Sequence, residues 1–118
     1  MIIMNFIAQL FKALSEPVRL RILTLLLENE RCVCELMAAL DLPQSTISRH
    51  LAYMKNAGWV EGERRGVWMY YRLTENKDEF RQGLRQVLAA YLPQTKVGAA
   101  DLFRLQSHLL NENGDACR

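Results

Sequence analysis

Apolar positions recur at helical spacing through the first half of the chain. Phe6, Ile7, Leu10, Phe11 and Leu14 place a first helix over residues 5–14. Ser15 is a good N-cap for the next helix, and Pro17 falls in its first turn, where a missing N–H costs little. Val18, Ile22, Leu25 and Leu26 give this second helix its stripe and carry it to near Asn29. A short third helix follows over Cys34 to Leu40, with Leu36, Met37 and Leu40 apolar. Pro43 disfavours helix at Leu42, so Asp41-Leu42-Pro43 reads as a tight break. A fourth helix runs from Gln44 to Asn56, burying Ile47, Leu51 and Met54, with Gly58 placed to cap it.

The period then changes from helical to alternating. Trp59 to Glu63 and Val67 to Leu73 alternate about Arg64-Arg65-Gly66, which predicts a β-hairpin with glycine in the turn. Val67, Met69, Tyr71 and Leu73 share one face of it, and Trp68, Tyr70 and Arg72 the other. A fifth helix spans Asn76 to Leu92, striped by Phe80, Leu84, Val87, Leu88 and Tyr91 and stopped by Pro93. Gln94 to Gly98 reads as a linker and Ala99 to Leu110 as a sixth helix, with a frayed tail after it. The expected fold is mainly α with a β-hairpin wing. Two helices about a three-residue turn, followed at once by a hairpin, give the winged helix-turn-helix layout. Residues 1–93 form the expected winged helix-turn-helix domain, and 94–118 the linker, C-terminal helix and tail.

The length of 118 residues allows one domain. The apolar run Ile22–Leu27 is broken by Thr24 and is far short of a membrane span, so no membrane partner is expected. The short apolar start lacks the basic segment and cleavage site of a secretory signal, which makes the cytoplasm the expected location. Net charge is only +2, but residues 44–72 carry five basic and two acidic side chains. A basic middle third on a near-neutral chain suggests a local nucleic-acid footprint.

The predicted fourth helix fits that footprint. Ser45, Arg49, Ala52 and Asn56 lie opposite its buried face, with Ser48 on the flank. A Ser45-Thr46-x-Ser48 run is poor in helix formers, so stability does not explain it. Small polar side chains let a helix seat deeply in the major groove. Gln44, Ser45, Thr46 and Ser48 can bond bases or phosphates near the helix N-terminus, and Arg49 can reach the two acceptors of guanine. The hairpin supplies Arg64, Arg65 and Arg72 for phosphate or an adjacent minor groove. His50 borders the buried face and reads as a packing residue, as do Trp68, Tyr70 and Tyr71.

Three cysteines are too few for a disulfide scaffold. Cys32 and Cys34 read either as small buried hydrophobes or as a soft-ion or redox pair. A helix start there is expected to lower the thiol pKa. On a regular helix residues two apart project about 200° apart. Chelation by both sulfurs is therefore expected to unwind the first turn of the helix that packs on the reading helix. A thiol-disulfide enzyme is not expected, because the only strands form one hairpin rather than alternating with helices.

Four runs together carry a family resemblance: LSEPVRLRIL from Leu14, RCVCEL from Arg31, QSTISRHL from Gln44 and RGVWMYYRL from Arg65. Over about residues 6–92 the chain resembles the ArsR/SmtB family of bacterial winged-helix metalloregulators, and RCVCEL resembles its arsenic-responsive repressors. The resemblance implies a homodimer built from the first and fifth helices. It implies repression of a resistance operon through double-stranded operator DNA, with half-sites about one turn apart or a multiple. It also implies release by trivalent arsenic or antimony bound at Cys32 and Cys34, with no catalytic cofactor. The family often has a third cysteine where this chain has Met37. Cys117, from the same chain or a partner, is then the candidate third ligand; a two-coordinate site would instead suit a methylated trivalent arsenical. The fifth helix lacks the histidines of the family's zinc sensors. Cadmium, lead or an oxidant acting on the same cysteine pair is the alternative reading.

Overall fold

The computed structural model of the chain describes residues 3–75 and 78–111. Two helices open it, α1 (Met4–Leu14) and α2 (Pro17–Leu26). The cap between them is not Ser15, whose hydroxyl turns back to Lys12 O at 2.8 Å. Glu16 caps α2 instead, its carboxylate accepting from Arg19 N at 3.0 Å, and Pro17 sits in the first turn as expected. A two-residue strand, β1 (Arg31–Cys32), comes next and leads directly into α3 (Val33–Leu40). The third helix ends at Asp41, which adopts a left-handed φ of 55° and returns its N–H to Met37 O at 2.9 Å. A short polar side chain tolerates that conformation. After Leu42-Pro43 the reading helix α4 (Gln44–Asn56) follows with the predicted bounds.

The wing is formed by β2 (Val60–Arg65) and β3 (Trp68–Leu73). The turn is Gly66–Val67, one residue later than the expected Arg64-Arg65-Gly66, because Arg65 pairs with Trp68 across the ladder. Gly66 has a φ of 67° and Val67 is not left-handed, the pattern of a II′ turn that needs glycine first. β1 pairs with β3 as well, so the sheet has three antiparallel strands in the order β1-β3-β2.

The fifth helix, α5 (Glu79–Tyr91), is capped by Asp78, which accepts from Arg81 N at 2.8 Å. The expected start at Asn76 lies outside the described residues. Leu92–Gln94 then forms a 3₁₀ turn, and α6 (Lys96–Asn111) begins at once. Residues 94–98 are therefore not a linker. Thr95 Oγ1 accepts from Gly98 N at 3.0 Å, and a Cβ on Gly98 would stand 2.2 Å from Leu92 O, so only glycine allows this approach.

Leu10, Ile22, Leu36, Ile47 and Leu51 are fully buried where α1 to α4 meet, and Trp59 joins them, donating Nε1 to Leu10 O at 2.9 Å. The sixth helix adds Leu105 and the fully buried Asp101. Asp101 accepts from Arg21 Nε and Nη2 at 2.8 and 2.9 Å and also from Arg104 Nη2. The same arginines cap the end of α3, Arg21 at Leu40 O (3.1 Å) and Arg104 at Ala39 O (2.7 Å). Carbonyls that the helix leaves orphaned are thus satisfied from α2 and α6. In contrast, α5 buries no residue: Phe80, Leu84 and Leu88 are half-buried, while Val87 and Tyr91 are exposed.

Candidate nucleic-acid interface and sulfur cleft

Ile47, His50, Leu51 and Met54 hold α4 against the core. This orients Gln44, Ser45 and Arg49 to solvent and leaves Thr46 and Ser48 half-buried on its flanks. Ser45, Ser48 and Arg49 lie on the faces that the helical spacing predicts. His50 is 8% exposed, its Nδ1 lying 3.3 Å from Arg19 Nη1 and 3.8 Å from Glu16 Oε2. Burial holds its imidazole below the ordinary histidine value, and the Glu16 carboxylate offsets part of that effect. Arg19 also lies over the Tyr53 ring at 4.2 Å, tying α2 to α4. His50 is thus a joint between helices, as its border position suggested.

The three wing arginines do not act alike. Strand alternation puts Arg64 on the inner face of the hairpin with Gly62, Met69 and Tyr71, and Arg65 and Arg72 on the outer one. The outer pair is engaged by carboxylates. Arg65 binds Glu30 at 2.7 and 2.8 Å and Glu63 at 3.0 Å; Arg72 binds Glu61 at 2.8 Å and Glu63 at 3.0 Å. These hydrogen bonds raise both guanidinium pKa values and hold the Glu30 and Glu63 carboxyls below their usual range. Arg65 also covers the Tyr70 ring at 4.5 Å. Arg64 makes no ion pair among the described residues. Of the three, it alone offers an unneutralised charge.

Cys32 and Cys34 do not share a helix. Cys32 is 1% exposed in β1, opposite Tyr70, with the extended backbone of an N-cap (φ −73°, ψ 150°). Its N–H donates to Glu35 Oε1 at 2.7 Å. Cys34 is half-buried in the first turn of α3. The projection expected for two helical residues therefore does not apply. The pair straddles a strand–helix junction, and both residues line one cleft. The Cys34 thiol is also not acidified as expected. Burial pushes its pKa up, Glu35 adds to that, and the hydrogen bonding of the helix start offsets only part.

That cleft, of about 390 Å³, opens between α3, α4 and the wing. Besides the two cysteines it is lined by Met37, by Gln44, Ser48 and Arg64, and by Trp68, Met69 and Tyr71 of β3. The sulfur atoms and the side chains chosen as DNA readers thus border one space. Sequence reasoning missed β1, Glu30 and Met69; a two-residue strand has no period to detect. Cys117 lies outside the described residues. Among the described residues, no three His, Cys, Asp or Glu side chains gather as a metal site, and no helix is long and apolar enough to cross a membrane.

A reading helix packed behind a turn, flanked by a hairpin wing, defines a winged helix-turn-helix DNA-binding regulator, not an enzyme. Residues 16–61 match the model described as bacterial regulatory protein, arsR family. The chain is 44% identical over 71 residues to the uncharacterized HTH-type transcriptional regulator MJ1325 of Methanocaldococcus jannaschii, covering 59% of this chain and 80% of that one. The chain belongs to the arsR family. It is 52% identical over 65 residues to the arsenic resistance transcriptional regulator ArsR1 of Pseudomonas putida (53% of this chain, 50% of that one). It is 45% identical over 74 residues to the HTH-type transcriptional repressor SmtB of Mycobacterium tuberculosis (63% and 55%). It thus spans about half the length of these last two relatives. Among solved structures, HlyU from Vibrio cholerae superposes with a TM-score of 0.65 at 31% identity, covering 73% of this chain and 90% of that one. The homodimeric winged helix-turn-helix domain of Mb0332 from Mycobacterium bovis does so with a TM-score of 0.62 at 27% identity (92% and 84%).

Proposed function

We propose that the chain is a metalloid-responsive repressor that binds operator DNA as a homodimer and is released when trivalent arsenic or antimony binds Cys32 and Cys34. The observation that carries this reading is the shared cleft: both cysteines line the space bordered by Gln44, Ser48 and Arg64. In the reduced protein each As–S bond replaces an As–OH bond, and the thiol proton leaves with the hydroxide as water. Cys32 lies in the strand paired with β3, so tension at its sulfur reaches the wing through the ladder as well as α4 through α3. The arsenic resistance regulator among the relatives supports the inducer assignment. The homodimeric Mb0332 domain supports the dimer. So do the exposed apolar side chains of Val87 and Tyr91 on α5 and of Phe11 on α1. Met37 is a poor arsenic ligand beside a thiolate, so Cys117 is the candidate third ligand, and a site of two cysteines would instead suit a methylated arsenical. Cadmium or lead at the same pair is the competing reading, because these ions also prefer sulfur.

The test is fluorescence anisotropy of the upstream promoter DNA with fully reduced protein, titrated with arsenite. Release in the parent and none in Cys32→Ser/Cys34→Ser is the expected result. Tight binding that arsenite leaves unchanged sinks the arsenic assignment. A Cys117→Ser variant that needs more arsenite for release assigns the third ligand.

A further inference from the structure

The cleft holding Cys34 also carries two thioethers that the arsenic reading does not use. Met37 stands three residues after Cys34 on α3, which puts both side chains on one face. Met69 enters from the inner face of β3, beside Tyr71. Arg64 is its cross-strand partner, and diagonal to it Gly62 has no side chain, the Met69 Cε lying 3.2 Å from where a Gly62 Cβ would stand. All three sulfur residues are half-buried and line the same space, whereas Met54 is sealed in the core. Cys34 is a free thiol.

The donor set has a definite chemistry. Thioethers are neutral and soft; they add little for zinc, calcium or trivalent arsenic, but with a thiolate they favour monovalent d¹⁰ ions. One thiolate and one monovalent cation also add no net charge to a cleft that Val33, Trp68 and Tyr71 line together with the Arg64 guanidinium. We propose that Cys34, Met37 and Met69 form a three-sulfur site for a soft monovalent cation of the copper(I) or silver(I) class. Binding moves no electron. The Cys34 proton leaves to solvent as the metal–sulfur bond forms, so one cation bound releases one proton wherever the thiol is protonated beforehand. The site goes beyond the arsenic reading and stands without it, because it uses one cysteine and two residues that arsenic does not need.

Silver nitrate is the probe, added to the reduced full chain in chloride-free buffer with the methionine methyl groups ¹³C-labelled. At one equivalent the Met37 and Met69 methyl signals shift and Met54 stays in place. Met37→Leu/Met69→Leu, which conserves volume, weakens silver binding roughly tenfold or more while keeping arsenite-driven release of DNA. If that double variant loses its fold, Met37→Leu alone is read through the Met69 methyl. Silver binding that leaves both methyl signals unmoved overturns the site, as does a folded double variant that binds silver as tightly as the parent. Methyl shifts in a protein that arsenite fails to release from DNA uphold this site and overturn the arsenic reading instead.

Discussion

Arg65 at the end of β2 clasps Glu30 just before β1 with two parallel hydrogen bonds, Nη1 to Oε2 at 2.7 Å and Nη2 to Oε1 at 2.8 Å. The planar guanidinium fork matches a carboxylate in this geometry. The clasp joins the wing to the segment carrying Cys32, and it withdraws Arg65 from any role as an open phosphate ligand. Arg72 is withdrawn in the same way by Glu61 and Glu63.

Arg64→Ala is therefore expected to weaken DNA binding and to lower the salt slope of log K by about one unit. Arg72→Ala, made at a charge already balanced, changes that slope by much less. Anisotropy titrations at several salt concentrations separate the two. Equal losses from both variants contradict the division of labour drawn from the strand faces.

His50 makes stability depend on pH near neutrality. The unfolded chain takes up this proton at about 6.5, while burial lowers the value in the fold. Between the two values the unfolded state holds more protons. Stability is thus fully present above about 6.5 and falls as pH drops through the folded value. Urea midpoints measured from pH 7.5 to 5.5 are expected to decline for the parent and to flatten for His50→Gln. Glu30, Glu63 and Asp78 have lowered pKa values, so their contribution persists through this window and fades only as pH falls below the ordinary carboxylate range.

Asp101 is a fully buried anion held by Arg21 and Arg104, and both arginines also cap α3. Asp101→Ala leaves two cations without their partner and loosens the end of a helix in the reading unit. A loss of about 3 kcal/mol is expected, because breaking one side of a buried pair is costly. Urea unfolding measures it. A loss under about 0.5 kcal/mol, typical of surface changes, shows that α6 is not anchored here.

The exposed apolar face of α5 predicts the oligomeric state. Val87→Asp/Tyr91→Asp is expected to convert a dimer into a folded monomer with weakened DNA binding, as followed by sedimentation equilibrium. An unchanged dimer removes α5 from the interface.

Most of the fold was legible because α1 to α5 bury regular stripes and each break has a local cause, such as Pro43, Gly66 or Pro93. The reading face of α4 was legible for the same reason. What escaped depends on partners distant in sequence. β1 is a strand only because β3 pairs with it, and two residues cannot show alternation. Glu30 meets Arg65 across 35 positions, and no local pattern announces such a pair. For the Cys34 thiol the helix-start effect is visible in sequence, whereas the burial that outweighs it is not. The sequence after Pro93 predicts a linker over residues 94–98, and Gly98 does not by itself reveal the packing around it. Here it marks the tight approach of two backbone segments.

The alternation of β2 makes the wing a parity device. Whether an arginine looks toward the groove or toward the glutamates is decided by one position in the ladder. A change in turn length that slips β2 by a single residue against β3 exchanges Arg64 and Arg65 between the two sides. Charge and composition barely change, yet the cation presented to DNA becomes the other one, and Glu30 loses its clasp. Related chains with equal numbers of wing arginines can therefore differ in DNA affinity through hairpin length alone.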